Sequence, residues 1–200
     1  MTTLSEIIKT ISNFFPKGKK FDEAAYQESK EFQRLLELRQ RHLDDPTFGR
    51  YLLQILHAVF QGYVVVDWTN LQAANCYEYF ILLHKDQPIL DDDLQLIKAL
   101  GGKRTDLRLF VSILAKYYYF FIEETSYDEK FNRWSFDSVN QITTQIAENI
   151  NCLRERMNLE GYIELSTEVI NTPVKGIETE LVPKNKVKVF HCLFTDLTTP

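Results

Sequence analysis

The stretch from Gly101 to Arg104 has the residue types of an anion-binding loop. Two glycines, a lysine and an arginine precede a predicted helix, where free N–H groups, the helix dipole and a lysine would all favour an anion. The nucleotide-binding loop also requires a glycine five residues before its Gly-Lys pair. Ile97 occupies that position, and Asp106 adds negative charge. We therefore predict a plain helix stop and start, with anion binding at Lys103 and Arg104 as an alternative.

The same glycine pair is also compatible with a helix-turn-helix. The following predicted helix would be the recognition helix, and the basic segment 184–188 would be a wing. A recognition helix must expose its N-terminal half, but apolar residues crowd positions 107–111, and the acidic run 91–93 would face phosphates. The sequence disfavours nucleic acid as a partner. The alternative of a winged-helix-like DNA-binding protein has three candidate contacts: Lys103, Arg104 and Lys186.

Carboxylates, histidines and cysteines build most metal and catalytic sites, and here they lack a supporting pattern. Asp91 to Asp93 supply hard oxygens, but acids in the first turn of a helix complement its dipole, so capping is favoured. His57 falls on the polar stripe of its predicted helix. Cys76, Cys152 and Cys192 are far apart and form no C-x-x-C pair. We predict no catalytic residue, metal or cofactor, and a protein that is not an enzyme.

Aromatic residues are the remaining candidates for a binding site. The densest run extends from Tyr117 to Phe121. Consecutive tyrosines on a helix cannot all point inward, and tyrosine is amphipathic. We therefore expect Tyr117 or Tyr119 to line a groove together with Trp134, for a partner or a ligand.

The charge balance favours a basic partner over an acidic one. The chain of 200 residues has 23 basic and 28 acidic side chains, a formal net charge of −5. Acidic side chains on the charged second helix should steer a basic protein toward this one. The candidate positions are Glu28, Glu31 and Glu37.

Hydrophobic periodicity predicts the elements that must position these residues. Apolar spacings of three and four predict about seven helices, and Thr3 with Glu6 has the spacing of a capping box for the first. The segment 63–66 contains three β-branched valines and is compatible with either a short strand or a continuation of the helix before it. Gly101 and Gly102 should stop the fifth helix. The predicted helices are 4–15, 22–43, 45–61, 69–85, 91–100, 105–124 and 137–157.

After Gly161 the periodicity changes from helical to two. The runs 163–169, 177–182 and 186–194 are predicted strands, with a three-residue loop at 183–185 that pairs like faces of a hairpin. The predicted fold is α+β: a mainly helical single domain over 1–200, with its helices in 1–158 and a small C-terminal antiparallel sheet in 161–194. The open edge of that sheet is a candidate homodimer contact.

The leading functional hypothesis is a non-enzymatic protein-interaction module that binds or neutralises a partner protein, like an immunity or adaptor protein. The alternative to it, besides DNA binding, is a small-molecule or lipid sensor with an aromatic pocket between the 105–124 helix and the 125–136 segment. Glu6 and Lys9 interrupt the apolar N-terminus, and the most apolar stretch, 109–122, is shorter than a spanning helix. We expect a cytoplasmic protein without membrane contact.

Overall fold

The computed structural model describes residues 3–84, 94–139 and 142–198. The described residues are 39% helical and 23% strand. The helices, in chain order within these ranges, are α1 (Leu4–Ser12), α2 (Ala24–Gln27), α3 (Lys30–Asp44), α4 (Thr47–Val59), α5 (Leu94–Ala99), α6 (Thr144–Leu159), α7 (Thr167–Ile170) and α8 (Val189–Leu193). The strands are β1 (Val64–Asp67), β2 (Cys76–Leu82), β3 (Lys103–Ser112), β4 (Tyr117–Asp128), β5 (Arg133–Ser138) and β6 (Ile163–Glu164).

One sheet in the middle of the chain organises the fold. Its strands lie in the order β1-β2-β3-β4-β5, all antiparallel, and the short β6 pairs in parallel with β4. The predicted fold, mainly helical with a small C-terminal sheet, is therefore wrong. The structure is an α+β fold in which α4 and α6 pack on one face of the sheet and α8 packs on the other.

The predicted helices 69–85 and 105–124 are wrong, because these segments form β2, β3 and most of β4. Strands that are covered on both faces are apolar throughout and lose the alternation by which a strand is recognised. Tyr117 to Ile122 is such a run. Its aromatic content is typical of a strand, but the apolar spacing also fits a helix.

The C-terminal hairpin and sheet were also predicted wrongly. Neither 177–182 nor 186–194 forms a strand; the second run contains α8, and Val189 to Leu193 are all buried. The rings of Phe190 and Phe194, which are four residues apart, have centres 5.5 Å from each other, as neighbours on one helical face do. The proposed homodimer edge in this segment therefore does not exist.

Most amphipathic helices were predicted correctly in kind. The capping box of Thr3 and Glu6 is confirmed, and both Gly101 and Gly102 adopt positive φ after α5. The 22–43 helix divides into α2 and α3, because the Ser29 hydroxyl caps α3 by accepting from the N–H of Phe32. In the segment 63–66, the last three residues belong to the strand β1. Residues 91–93, where an acidic helix start was predicted, lie outside the described residues.

The two faces of the sheet are covered differently. On the first, the α4–α6 face, Tyr79, Leu109 and Phe120 lie opposite one another. The Tyr79 hydroxyl donates to the carbonyl of Gly49 in α4 at 3.2 Å, and Arg154 of α6 lies over the Phe120 ring. This face is the main core.

The second, the α8 face, is covered at one end by α8. The Phe190 ring lies 5.2 Å from Phe110 and 6.2 Å from Tyr119, and α1 contacts α8. The helix α5 contacts β3 and β4. Within the described ranges, no helix has the length and apolar character to cross a membrane.

Candidate functional site

A row of four side chains crosses the α8 face next to the part that α8 covers. Val66, Phe80, Arg108 and Phe121 are opposite one another on β1 to β4, and we call them the Arg108 row. All four are partly exposed. The strand register alone builds this row, because residues directly opposite each other on neighbouring antiparallel strands have side chains on the same face of the sheet.

Arg108 is held in the row by aromatic rings and carboxylates. Its guanidinium carbon lies 4.6 Å from the Phe80 ring centre and 5.5 Å from that of Phe121, within the range of cation–π attraction. One terminal nitrogen donates to Glu78 at 2.7 Å and the other to Glu123 at 3.2 Å. The three charged side chains are between 10% and 15% exposed.

The charges of this cluster do not balance. In the described part of the chain, Glu78 and Glu123 share the single guanidinium of Arg108, which leaves the cluster with one excess negative charge. Burial raises the pKa of Glu78, Arg108 opposes that rise, and the second carboxylate of Glu123 adds to it. Such a cluster favours a second cation.

Trp68 gives the cluster an exposed aromatic border. Its backbone N–H donates to the backbone carbonyl of Glu78 at 2.9 Å, which extends β1 by one residue. Its ring lies 5.7 Å from that of Phe80 and the residue is 52% exposed. An exposed tryptophan beside excess negative charge suits a lysine or arginine side chain that arrives from outside.

The aromatic groove predicted from Tyr117, Tyr119 and Trp134 is not assembled. Tyr117 and Tyr119 are buried, and the Trp134 ring lies 4.8 Å from that of Tyr127 near the end of β4. Tyr119 and Tyr127 are separated along the strand by roughly 26 Å. The groove required a helix at 105–124, which does not form.

Tyr119 instead lines a cleft between β4 and α6. The cleft has a volume of about 480 Å³ and includes Phe120, Ile122, Ile142 and Ile150. At its border, Arg154 donates to both carboxylate oxygens of Glu164, at 2.8 and 3.0 Å. That size falls within the usual range for small-molecule sites, roughly 300–1,000 Å³.

The predicted anion-binding residues point in different directions. Lys103 is exposed and pairs with Glu124 at 2.6 Å, whereas Arg104 is buried and donates to Asp106 at 2.8 Å. A strand follows the glycine pair, so neither the phosphate-binding helix N-terminus nor the recognition helix exists. Lys186 is exposed in a turn that closes on the carbonyl of Pro183.

The acidic steering residues remain on the helical surface. Glu28 is the C-terminal cap of α2, Glu31 lies in the first turn of α3, and Glu37 is exposed further along α3. Among the described residues, no contact joins them to the Arg108 row. Their role in steering stays a prediction.

Sequence reasoning missed the residues that form the candidate site. Glu78, Arg108 and Glu123 lie on three different strands. The alternation of charge in Arg104, Asp106 and Arg108 was the available signal, because charges two residues apart share a strand face. It was hidden by the helical interpretation of this segment. Within the described ranges, no three His, Cys, Asp or Glu side chains are grouped to hold a metal ion.

The chain matches no family model, no curated protein and no solved structure.

Proposed function

We propose that this protein is a non-enzymatic interaction module that binds a basic partner protein on the α8 face of its sheet. The observation that carries the proposal is the charge imbalance at the Arg108 row. Two largely buried carboxylates share one guanidinium, so a lysine or arginine of the partner completes the set of charges. Trp68 offers its ring to the same cation.

The net charge of −5 supports the same partner chemistry. An acidic surface attracts a basic protein over a distance and raises its association rate at low salt. Glu28, Glu31 and Glu37 act in this long-range attraction, while Glu78 and Glu123 act in contact. The contribution of the long-range set to binding should therefore weaken as salt rises, whereas that of the largely buried contact set should depend less on salt.

The contact role of Glu78 and Glu123 can be tested with a hexalysine peptide, acetylated only at its N-terminus, as a model of a basic surface. Titration at low salt, in a Trp134→Phe background, should change the fluorescence of Trp68 saturably. Glu123→Gln should weaken this binding about tenfold, because it removes a largely desolvated charge from the site.

Glu155→Gln is the matched control, since Glu155 is exposed on α6, which covers the opposite face. The change in net charge is the same, so its affinity should stay within about twofold of the wild type. Equal losses in the two variants, or stronger binding of a hexaglutamate peptide, would contradict a cation site at the Arg108 row.

A second candidate function is the binding of a small apolar molecule in the β4–α6 cleft, which the cleft's volume of about 480 Å³ favours. Nile red, a neutral apolar dye, should become fluorescent with the wild type. Ile142→Asp should reduce its affinity severalfold, because a carboxylate in the cleft must be desolvated. Leu159→Asp is the control on an exposed apolar position. No increase in Nile red fluorescence with the wild type, or an equal loss of affinity in the two variants, would contradict this second function.

A further inference from the structure

Strand β1 forms a free edge of the sheet. It is the first strand in the order β1-β2-β3-β4-β5, and within the described ranges it pairs with β2 on one side and with no strand on the other. The ladder with β2 runs from Val64 to Asp67, and the backbone N–H of Trp68 extends it. Every second residue of β1 therefore directs its peptide groups away from the sheet.

Val65 and Asp67 carry these outward peptide groups. In an antiparallel ladder, residues whose N–H and C=O point to the same neighbour alternate along the strand. Trp68 donates its N–H to β2, so Val66 and Val64 also face β2, and Val65 and Asp67 face away from it. Among the described residues, no hydrogen bond is made by these outward groups. They offer two N–H donors and two C=O acceptors to an added strand.

The residues of β1 leave this edge unprotected. Native sheets close their free edges with charged side chains, prolines or bulges. Strand β1 starts with three partly exposed valines, and its register with β2 contains no bulge. The strand at the opposite edge, β5, has Arg133 and Asp137 near its two ends. Strand addition is therefore favoured at β1.

The side chains beside this edge favour a basic strand. On the α8 face, a residue opposite Trp68 on an added strand would lie two strand spacings, roughly 10 Å, from the backbone of Glu78. A lysine side chain there can cross the exposed Trp68 ring and approach the Glu78 carboxylate. On the opposite face, Asp67 is exposed and makes no ion pair within the described ranges.

We propose that the basic partner binds as an extended strand added to the outer edge of β1. The inference rests on the proposed function for the charge of the partner and adds the manner of its binding. The added strand pairs with the peptide groups of Val65 and Asp67, and its basic side chains alternate between the Trp68 face and the Asp67 face. A second copy of this protein is disfavoured, because it would bring another net charge of −5 to the same edge.

Val65→Pro tests the outward N–H, because proline removes this donor and leaves the hydrogen bonds between β1 and β2 in place. Titration with the hexalysine peptide, followed by Trp68 fluorescence in the Trp134→Phe background, should show binding about tenfold weaker than in the wild type. Val65→Thr is the matched control, since threonine keeps the N–H and the β-branched shape. Its affinity should match that of the wild type, and equal affinities of the proline and threonine variants would overturn the inference.

A modified peptide gives a test that does not depend on the folding of a variant. Hexalysine that is N-methylated at every internal backbone amide keeps its charge but cannot donate hydrogen bonds to the carbonyls of β1. The wild type should bind it about tenfold more weakly than unmodified hexalysine. Equal affinity for the two peptides would overturn the inference.

Amide hydrogen exchange measured by NMR locates the pairing on the strand. The amides of Val64 and Val66 should exchange slowly throughout, because they are bonded to β2. The amides of Val65 and Asp67 should exchange fast in the free protein and slowly at saturation with hexalysine. No slowing would overturn the inference. Slowing without peptide that increases with protein concentration would place a second copy at this edge and would overturn it as well.

The combined results separate this inference from the proposed function. If Glu123→Gln weakens hexalysine binding but Val65→Pro and N-methylation do not, the cation site stands and strand addition is wrong. If Val65→Pro weakens binding but Glu123→Gln does not, strand addition stands and the cation site is wrong. If the wild type does not bind hexalysine, both are wrong.

Discussion

Replacing Arg108 with methionine should destabilise the protein by about 3–5 kcal/mol at neutral pH, the usual cost of removing one member of a buried ion pair. Methionine keeps most of the packing between Phe80 and Phe121. The loss therefore comes from Glu78 and Glu123, which remain desolvated without a cation. Urea unfolding of the variant and the wild type measures the difference.

The penalty of Arg108→Met should shrink as the pH falls. Burial already raises the pKa of Glu78 in the wild type, and the loss of Arg108 should raise it further. A carboxyl group whose pKa is raised by folding binds its proton more readily in the folded state, so its contribution favours folding at low pH and is lost as the pH rises through the folded pKa. The two proteins should therefore differ less near pH 4 than near pH 7.

Arg133→Met provides the control for loss of a positive charge on the same sheet, because Arg133 is exposed on β5. Its effect should stay within about 0.5 kcal/mol. Adding Glu78→Gln and Glu123→Gln to Arg108→Met should recover part of the stability. A penalty that is independent of pH, or no recovery in the triple variant, would mean that Arg108 acts through packing alone.

The second large effect concerns α8, where Phe190→Ala should cost about 3–5 kcal/mol. Phe190 is fully buried against Phe110, Tyr119 and Phe194. The truncation leaves a cavity between the sheet and α8. Guanidinium unfolding monitored by circular dichroism should show a lower midpoint with an unchanged slope.

Leu197→Ala is the control, because Leu197 is near in sequence but 56% exposed. It should change stability by less than about 0.5 kcal/mol. Deletion of 183–200 should unfold the protein, since it removes all of α8. A folded deletion variant would show that α8 is dispensable for the fold, contrary to its burial.

The amphipathic helices were predictable because one covered face leaves a helical pattern in the sequence. α1, α4 and α6 each have a stripe of buried apolar residues, and local caps or breakers such as Thr3 and Gly101 limit the helices next to them. These signals depend on residues within one turn or two of each other. These signals do not depend on how the rest of the chain folds.

The sheet was not predictable in the same way. β2, the second half of β3 and the start of β4 are mostly buried on both sides, so their apolar residues show no alternation and match a helix equally well. In the C-terminal segment the reverse occurred. Its alternating pattern suggested strands, but α8 forms there because Phe190 and Phe194 pack against Phe110 of the sheet.

The candidate site depends on contacts between residues that are distant in the sequence. The sequence by itself determined the acidic charge, the capped amphipathic helices and the glycine stop after α5. Only the tertiary structure decided that Glu78, Arg108 and Glu123 meet, because their contact depends on the register of β2 with β3 and of β3 with β4. A shift of one residue in either pairing would send the side chains of one strand to the opposite face. That register is set by packing of the whole sheet against its helices, which no short segment of the chain encodes.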